Sequence, residues 1–191
     1  MKYPVSGIFR SGTSMMMGLL NDGGVPITWS ESREWAMRSE DTEEYQRNKY
    51  GFWEVGQKAY MQLGFSDTVP EGNAVKIQAV GIPLLTHNHY KVILMRRHPE
   101  EIRDSYKRAF PKDKESPVDR PDWESYYYKL MHYTKDIMDA RSDIEYIEVW
   151  MRDVIENPLK EANRLVDFGI PIDPEKAIIQ VDPAQYRYKA V

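Results

Sequence analysis

The sequence predicts an α/β chain of three layers, with a parallel sheet of about five strands and helices on both faces. Three observations lead there. Short apolar runs alternate with longer amphipathic stretches along the 191 residues. One run, Val92-Ile93-Leu94-Met95, is continuously apolar, as expected of a strand covered on both faces. The first run ends in a turn bearing two glycines that opens directly into a helix-compatible stretch, the layout of a loop that cradles a phosphate.

Taken in order, Tyr3–Ser6 forms the first strand, and the turn Gly7 to Gly12 leads into a helix over Thr13–Asn21 that stops before Gly23-Gly24. Val25–Thr28 is the second strand. Glu54–Leu63 is a short helix ending before Gly64. Ala74–Gln78 and Lys91–Met95 are the third and fourth strands. Pro99–Ala109 is a helix with proline in its first turn, where the missing donor is harmless. Phe110–Arg120, rich in proline and charge, reads as a mobile loop over one edge, either a solvated connector or a substrate lid. A long tyrosine-rich helix spans Asp122–Ala140, and Ile144–Val149 is the fifth strand. A last helix, Pro158–Phe168, has Asn157 as its N-cap and Gly169 as its stop. The length suits one domain over residues 1–191. Met15-Met16-Met17 on the first helix reads as core filler.

Composition excludes several classes. The net charge of −4 implies no general attraction to nucleic acid or membrane, so an anionic ligand needs locally focused positive charge. The absence of cysteine excludes disulfides and thiolate chemistry, and suggests a reducing, cytoplasmic setting. Neither a signal peptide nor a membrane span is expected. No His, Asp or Glu grouping has convincing metal-ligand spacing.

Two motifs carry chemistry. Gly7-x-x-x-x-Gly12 fits the first half of the nucleoside-triphosphatase loop G-x-x-x-x-G-K-[ST], but Thr13 stands where the lysine for the β and γ phosphates belongs. A cation lies inside the loop instead, at Arg10. The loop is therefore suited to an anion other than a γ-phosphate. The second motif is Arg96-Arg97-His98-Pro99 with Ser105 eight residues after Arg97. A buried strand delivers two arginines to its C-terminal end, and the guanidinium fork suits phosphate. The competing reading pairs these arginines with Glu100, Glu101 or Asp104 on the surface.

In this order the two motifs resemble the sulfotransferase family, a branch of the P-loop fold. Phe9-Arg10-Ser11-Gly12-Thr13-Ser14 is similar to its 5′-phosphosulfate loop, [PF]-[RK]-S-G-T-[ST]. Arg97-x-Pro99 with Ser105 is similar to its 3′-phosphate motif, R-x-P-x-x-x-x-x-S. Lys49 to Glu54 (KYGFWE) looks like the family's N-x-x-G-[YF]-[YFW]-E box, and Asn157-Pro158, Asp167-Phe168-Gly169 and Val181 to Arg187 look like the tails of bacterial members. The resemblance implies 3′-phosphoadenosine 5′-phosphosulfate as donor, no metal, and a hydroxyl-bearing small molecule, sugar or peptide as acceptor. It implies that Ser11, Gly12, Thr13 and Ser14 hold the 5′-phosphate and Arg10 counters charge near the sulfuryl group. Arg97 and Ser105 then hold the 3′-phosphate, with Arg187 in the tail as a further donor contact; Lys189 lies beside it.

A hydroxyl acceptor needs a base. The family's K-x-H box aligns with Lys76-Ile77-Gln78, which puts an amide where a histidine would stand. Members that use a glutamate point to Glu31, twenty-one residues after Arg10, with Glu54 second and Glu34 one helical turn from Glu31. His87 and His89 precede the fourth strand and lie away from the site, whereas His98 is placed to bind or cap. One of Tyr126, Tyr127 and Tyr128 is a candidate to line an acceptor pocket. Two rival readings remain: a nucleotide-binding protein that keeps the fold without turnover, and a P-loop kinase or NTPase.

Overall fold

A computed structural model describes residues 1–30, 53, 55, 64–111, 113, 115–179 and 181. Five strands form one sheet: β1 (Tyr3–Gly7), β2 (Ile27–Thr28), β3 (Ala74–Gln78), β4 (Tyr90–Arg96) and β5 (Ile144–Trp150). Their order is β2-β3-β1-β4-β5, and every pairing is parallel. β1 lies in the middle with all five residues buried, so its C-terminal end opens at the centre of the sheet edge. In sheets of this kind ligands bind beyond the strands' C-terminal ends.

Helices cover both faces. One face is packed by α1 (Thr13–Asp22), α4 (Met151–Glu156), α5 (Pro158–Asp167) and the short α6 (Pro174–Ala177). Met15, Met16 and Met17 all lie in this core, as expected of them on the first helix. The other face is packed by α2 (Pro99–Ala109), α3 (Trp123–Asp139) and a 3-10 segment over Ala79–Leu84. Trp123 is fully buried there, and its indole N–H donates to the Pro99 carbonyl at 2.9 Å, tying α3 to the start of α2.

One local expectation is sharpened and another needs correction. Part of the segment after α2 is anchored to the fold, at Val118 and Asp119. Val118 is completely buried in the α2–α3 core, Arg103 Nε donates to its carbonyl at 3.1 Å, and Lys107 pairs with Asp119 at 2.7 Å. One apolar side chain among prolines and charges is enough to anchor a short segment. Asn157 occupies the N-cap position of α5, but its side chain makes no capping bond. Asp173 does cap α6, accepting from the amides of Glu175 and Lys176 at 3.2 and 3.3 Å.

Candidate functional site

The loop between β1 and α1 is fixed by close packing. A Cβ on Gly7 would lie 2.9 Å from the Met95 carbonyl and 2.5 Å from Ser11 Oγ. Gly12 has φ 97°, and a Cβ there would meet Met151 Cγ at 3.0 Å. The loop is thus held between the end of β4 and the residue that follows β5. Arg10 adopts φ 63°, a left-handed conformation that costs a non-glycine residue about 1 kcal/mol or more and is typical of functional loops. Ser11 Oγ is buried and makes no hydrogen bond. A buried hydroxyl without a partner is costly, and this one lies against Gly7 within the loop. The first bond within α1 runs from the Met16 N–H to the Gly12 carbonyl at 3.0 Å. The amides of Thr13, Ser14 and Met15 therefore open the helix at its positive end.

Cations converge on this loop from three elements. Lys76 on β3 donates to Ser14 Oγ at 3.0 Å. Arg10 Nε donates to Ser105 Oγ on α2 at 3.0 Å. Arg97, just past β4, donates through NH1 to the Arg10 carbonyl at 3.0 Å and through Nε to Glu101 at 3.2 Å. Arg152 on α4 donates to the other oxygen of Glu101 at 3.1 Å. Arg97 and Glu101 do pair, as the competing sequence reading has it, but as a buried ion pair and not on the surface.

Arg96 faces elsewhere. It pairs with Glu148, approaches the Tyr127 hydroxyl at 3.4 Å, and lies 5.3 Å from the centroid of the Trp150 ring. Burial pushes the Glu148 carboxyl up, but Lys135 and Arg96 beside it more than offset this and hold it below the usual range.

The structure brings together Arg10, Ser11, Gly12, Thr13, Ser14, Arg97 and Ser105 at the C-terminal edge of the sheet. Glu31, Glu34, Glu54, Arg187 and Lys189 lie outside the described residues. Gln78 ends β3 with its side chain exposed. His87 lies at the opposite edge, 3.6 Å from Asp143. His98 sits at the N-cap position of α2 but makes no capping bond, and its Nδ1 is buried without a partner. Tyr127 is buried in the core, whereas Tyr128 is exposed.

Sequence reasoning named Lys76 only within the K-x-H alignment and Glu101 only as a surface partner, and it missed Arg152 as a member of this cluster. The signal for the reach of Lys76 to Ser14 is a lysine near the C-terminal end of an otherwise apolar run. An aromatic pair was also missed. Trp29, just beyond β2, is 41% exposed and meets Trp53 edge-on with ring centroids 5.6 Å apart. By the β2–β3 register, Trp29 falls level with Lys76.

Comparison with known proteins agrees at the level of fold. No protein-family model and no curated protein matches the sequence. Among solved structures, the sulfotransferase domain from the curacin biosynthetic pathway superposes with a TM-score of 0.55 at 15% identity, over 95% of this chain and 78% of that one. The sulfotransferase domain from the Synechococcus PCC 7002 olefin synthase gives 0.51 at 13% identity, over 100% of this chain and 88% of that one. Retinol dehydratase in complex with androsterone and the inactive cofactor PAP aligns more loosely, at 0.47 and 15% identity, over 92% of this chain and 62% of that one. The five-stranded parallel sheet, its helical layers and the loop at its centre are those of the sulfotransferase-like fold, and the chain has that fold.

Proposed function

We propose that the chain, acting as one domain, is a sulfotransferase that moves a sulfuryl group from 3′-phosphoadenosine 5′-phosphosulfate to a hydroxyl acceptor. One observation carries this reading: two anion-binding groups share the sheet edge and are linked by the Arg10–Ser105 hydrogen bond. A nucleotide phosphorylated at both the 5′ and 3′ positions needs two such groups at a fixed separation. A nucleoside triphosphate needs only one, with a lysine at position 13.

The residues present fit the donor. The unpartnered Ser11 hydroxyl and the first amides of α1 suit a 5′-phosphate. Lys76 reaches the loop from β3 and supplies the ammonium that position 13 lacks. When bound, the donor supplies an activated sulfuryl group on a phosphate leaving oxygen. Lys76 and Arg10 oppose the negative charge that gathers on that oxygen, and because both are anchored they need little reorganisation. Arg97 and Ser105 read the 3′-phosphate, with Arg187 as a further contact from the tail. Glu31, or failing it Glu54, takes the proton of the acceptor hydroxyl. The acceptor, a small molecule, sugar or peptide, approaches from the β2–β3 side, where Trp29 and Trp53 offer an apolar wall. The reaction would take place in the cytoplasm and without a metal. Among the described residues no helix is long and apolar enough to cross a membrane.

The amide at Gln78 favours a second reading, a nucleotide-binding protein without turnover. Titration calorimetry with adenosine 3′,5′-bisphosphate beside ADP and ATP, with and without magnesium, tests both. Selective binding on the order of micromolar for the bisphosphate supports the donor site. Equal or tighter ATP binding that strengthens with magnesium sinks it in favour of a kinase-like protein. Bisphosphate binding without sulfuryl transfer to any of a panel of phenols, alcohols and sugars would favour the non-catalytic reading.

A further inference from the structure

We propose that the acceptor is an aryl hydroxyl, the group shared by small phenols and tyrosine, and that it is received in the corner between Trp29 and Trp53. The inference rests on the donor reading above and deepens it by naming the acceptor's chemical class.

The corner shares a face of the sheet with the start of α1. Trp53 packs against the core beneath α1, and Trp29 meets it with ring planes at 76° and centroids 5.6 Å apart. Lys76, level with Trp29 in the strand register, donates to Ser14 Oγ in the first turn of α1 at 3.0 Å. Gln78 stands two residues further along β3 and therefore on the same face as Lys76. It is exposed and pairs in register with Gly7, the first glycine of the loop. Trp53 adopts φ 55°, an outlier for a bulky side chain and of the kind that clusters at ligand sites. Trp29 keeps 41% of its surface exposed although its partner ring is anchored on the core.

Shape and acidity both select an aryl group. Two rings nearly at right angles accept a flat ring, which lies against one face and meets the edge of the other. A sugar in the same corner would lose water from hydroxyls that ring faces do not satisfy. Acidity matters because of what can take the proton. The amide of Gln78 takes none, and the base in the proposed reaction is a carboxylate, Glu31 or Glu54. Carboxyl groups ordinarily ionise near about pH 4, phenols near about 10, and alcohols close to water, at about 16. The proton transfer is thus uphill by about six pH units for a phenol and about twelve for an alcohol, and so weak a base serves the phenol. In the step, the aryl oxygen forms a bond to sulfur. The bond from sulfur to the 5′-phosphate oxygen breaks, its electron pair leaves on the bisphosphate, and the aryl proton passes to the carboxylate.

The test uses 2-naphthol and its saturated counterpart 2-decalol, which are close in size but differ in planarity and acidity. Binding is read by calorimetry on protein saturated with adenosine 3′,5′-bisphosphate, and turnover with the phosphosulfate donor. 2-Naphthol is expected to bind about 10-fold more tightly than 2-decalol and to be sulfated about 10²-fold faster or more. Trp29→Ala should remove that binding preference and leave the bisphosphate affinity and melting temperature unchanged. Trp29→Phe, which preserves a ring, should retain most of the preference and so separates loss of the ring from loss of the fold. Gln78→His supplies a stronger base and should raise 2-decalol turnover more than 2-naphthol turnover. A short tyrosine peptide run beside 2-naphthol assigns the aryl group to tyrosine if it reacts faster and to a small phenol if it reacts more slowly. Equal binding and turnover of the two probes, or an unchanged preference in Trp29→Ala, overturns this inference and leaves the donor reading standing. A wild type that does not bind the bisphosphate overturns the donor reading, and this inference with it.

Discussion

The two edges of the sheet use the same cations for opposite ends. At the N-terminal edge, Arg141 grips the carbonyls of Leu85 and Thr86 at 2.6 and 2.8 Å and Asp143 at 2.6 Å. Lys2 caps the Ser66 carbonyl at 2.7 Å, and Lys91 reaches the Phe168 carbonyl at 2.5 Å. These partners are helix and loop carbonyls and a carboxylate that need a donor for the fold to hold. At the C-terminal edge, Arg10 and Lys76 contact the hydroxyls of Ser105 and Ser14. A hydroxyl is a weaker partner for a cation than a carboxylate or a phosphate oxygen. The comparison teaches that the cations of the N-terminal edge close off carbonyls and a carboxylate of the fold, whereas those of the C-terminal edge gather around the loop after β1.

Breaking the N-terminal edge is expected to have the largest effect. Arg141→Ala leaves Asp143 uncompensated where its side chain is 17% exposed, and should cost about 3 kcal/mol of stability, read as a lower midpoint in urea unfolding. Binding of adenosine 3′,5′-bisphosphate below that transition should be unchanged; a parallel loss of both would erase the distinction between the edges. Next comes turnover at the other edge. Glu31→Gln should reduce sulfuryl transfer by roughly 10²-fold with donor binding and melting temperature intact, and an unchanged rate would remove Glu31 as the base and turn attention to Glu54.

Arg97→Ala follows, with bisphosphate affinity falling about 10- to 100-fold. An equal loss for ligands with and without the 3′-phosphate would show that Arg97 does not read that group. The smallest effect is a pH dependence confined to the N-terminal edge. The Arg141 guanidinium, followed by the Asn88 amide, outweighs burial and holds the Asp143 carboxyl well below the usual carboxylate range. A depressed folded-state value means that its contribution is fully present above about pH 4 and fades as the pH falls through that folded-state value. The gap in melting temperature between wild type and Asp143→Asn should therefore narrow between pH 5 and pH 2, measured by circular dichroism. A constant gap over that range would mean that the pair is not what Asp143 contributes.

How legible each part is depends on sequence separation. The strands stand out because a buried parallel strand must be apolar throughout: Ala74–Gln78 has the predicted bounds, and Tyr90–Arg96 extends the predicted one by a residue at either end. Pro99–Ala109 has the predicted bounds as well, since proline marks its start. The glycine turn between β1 and α1 is legible because all its parts are consecutive. Lys76 is not, because a lysine within a strand shows nothing of its target until β3 pairs with β1 and α1 folds back over both. Arg152 and Glu101 are 51 residues apart and meet only because β5 lies beside β4. The anchoring of Val118 was equally hidden, since a single valine among prolines and charges has no period to detect.

By itself, then, the sequence determined the alternation of strands and helices, the glycine turn after the first strand and the arginine–serine step at the end of the fourth strand. These depend on neighbours within about ten residues, where backbone geometry and side-chain period act directly. Only the tertiary structure decided which cations share the edge and what each one touches. That choice follows from the strand order β2-β3-β1-β4-β5, which sets residues from distant parts of the chain within hydrogen-bond reach. Hydrogen bonds and ion pairs act over a few ångströms of space, whatever the length of chain between the partners.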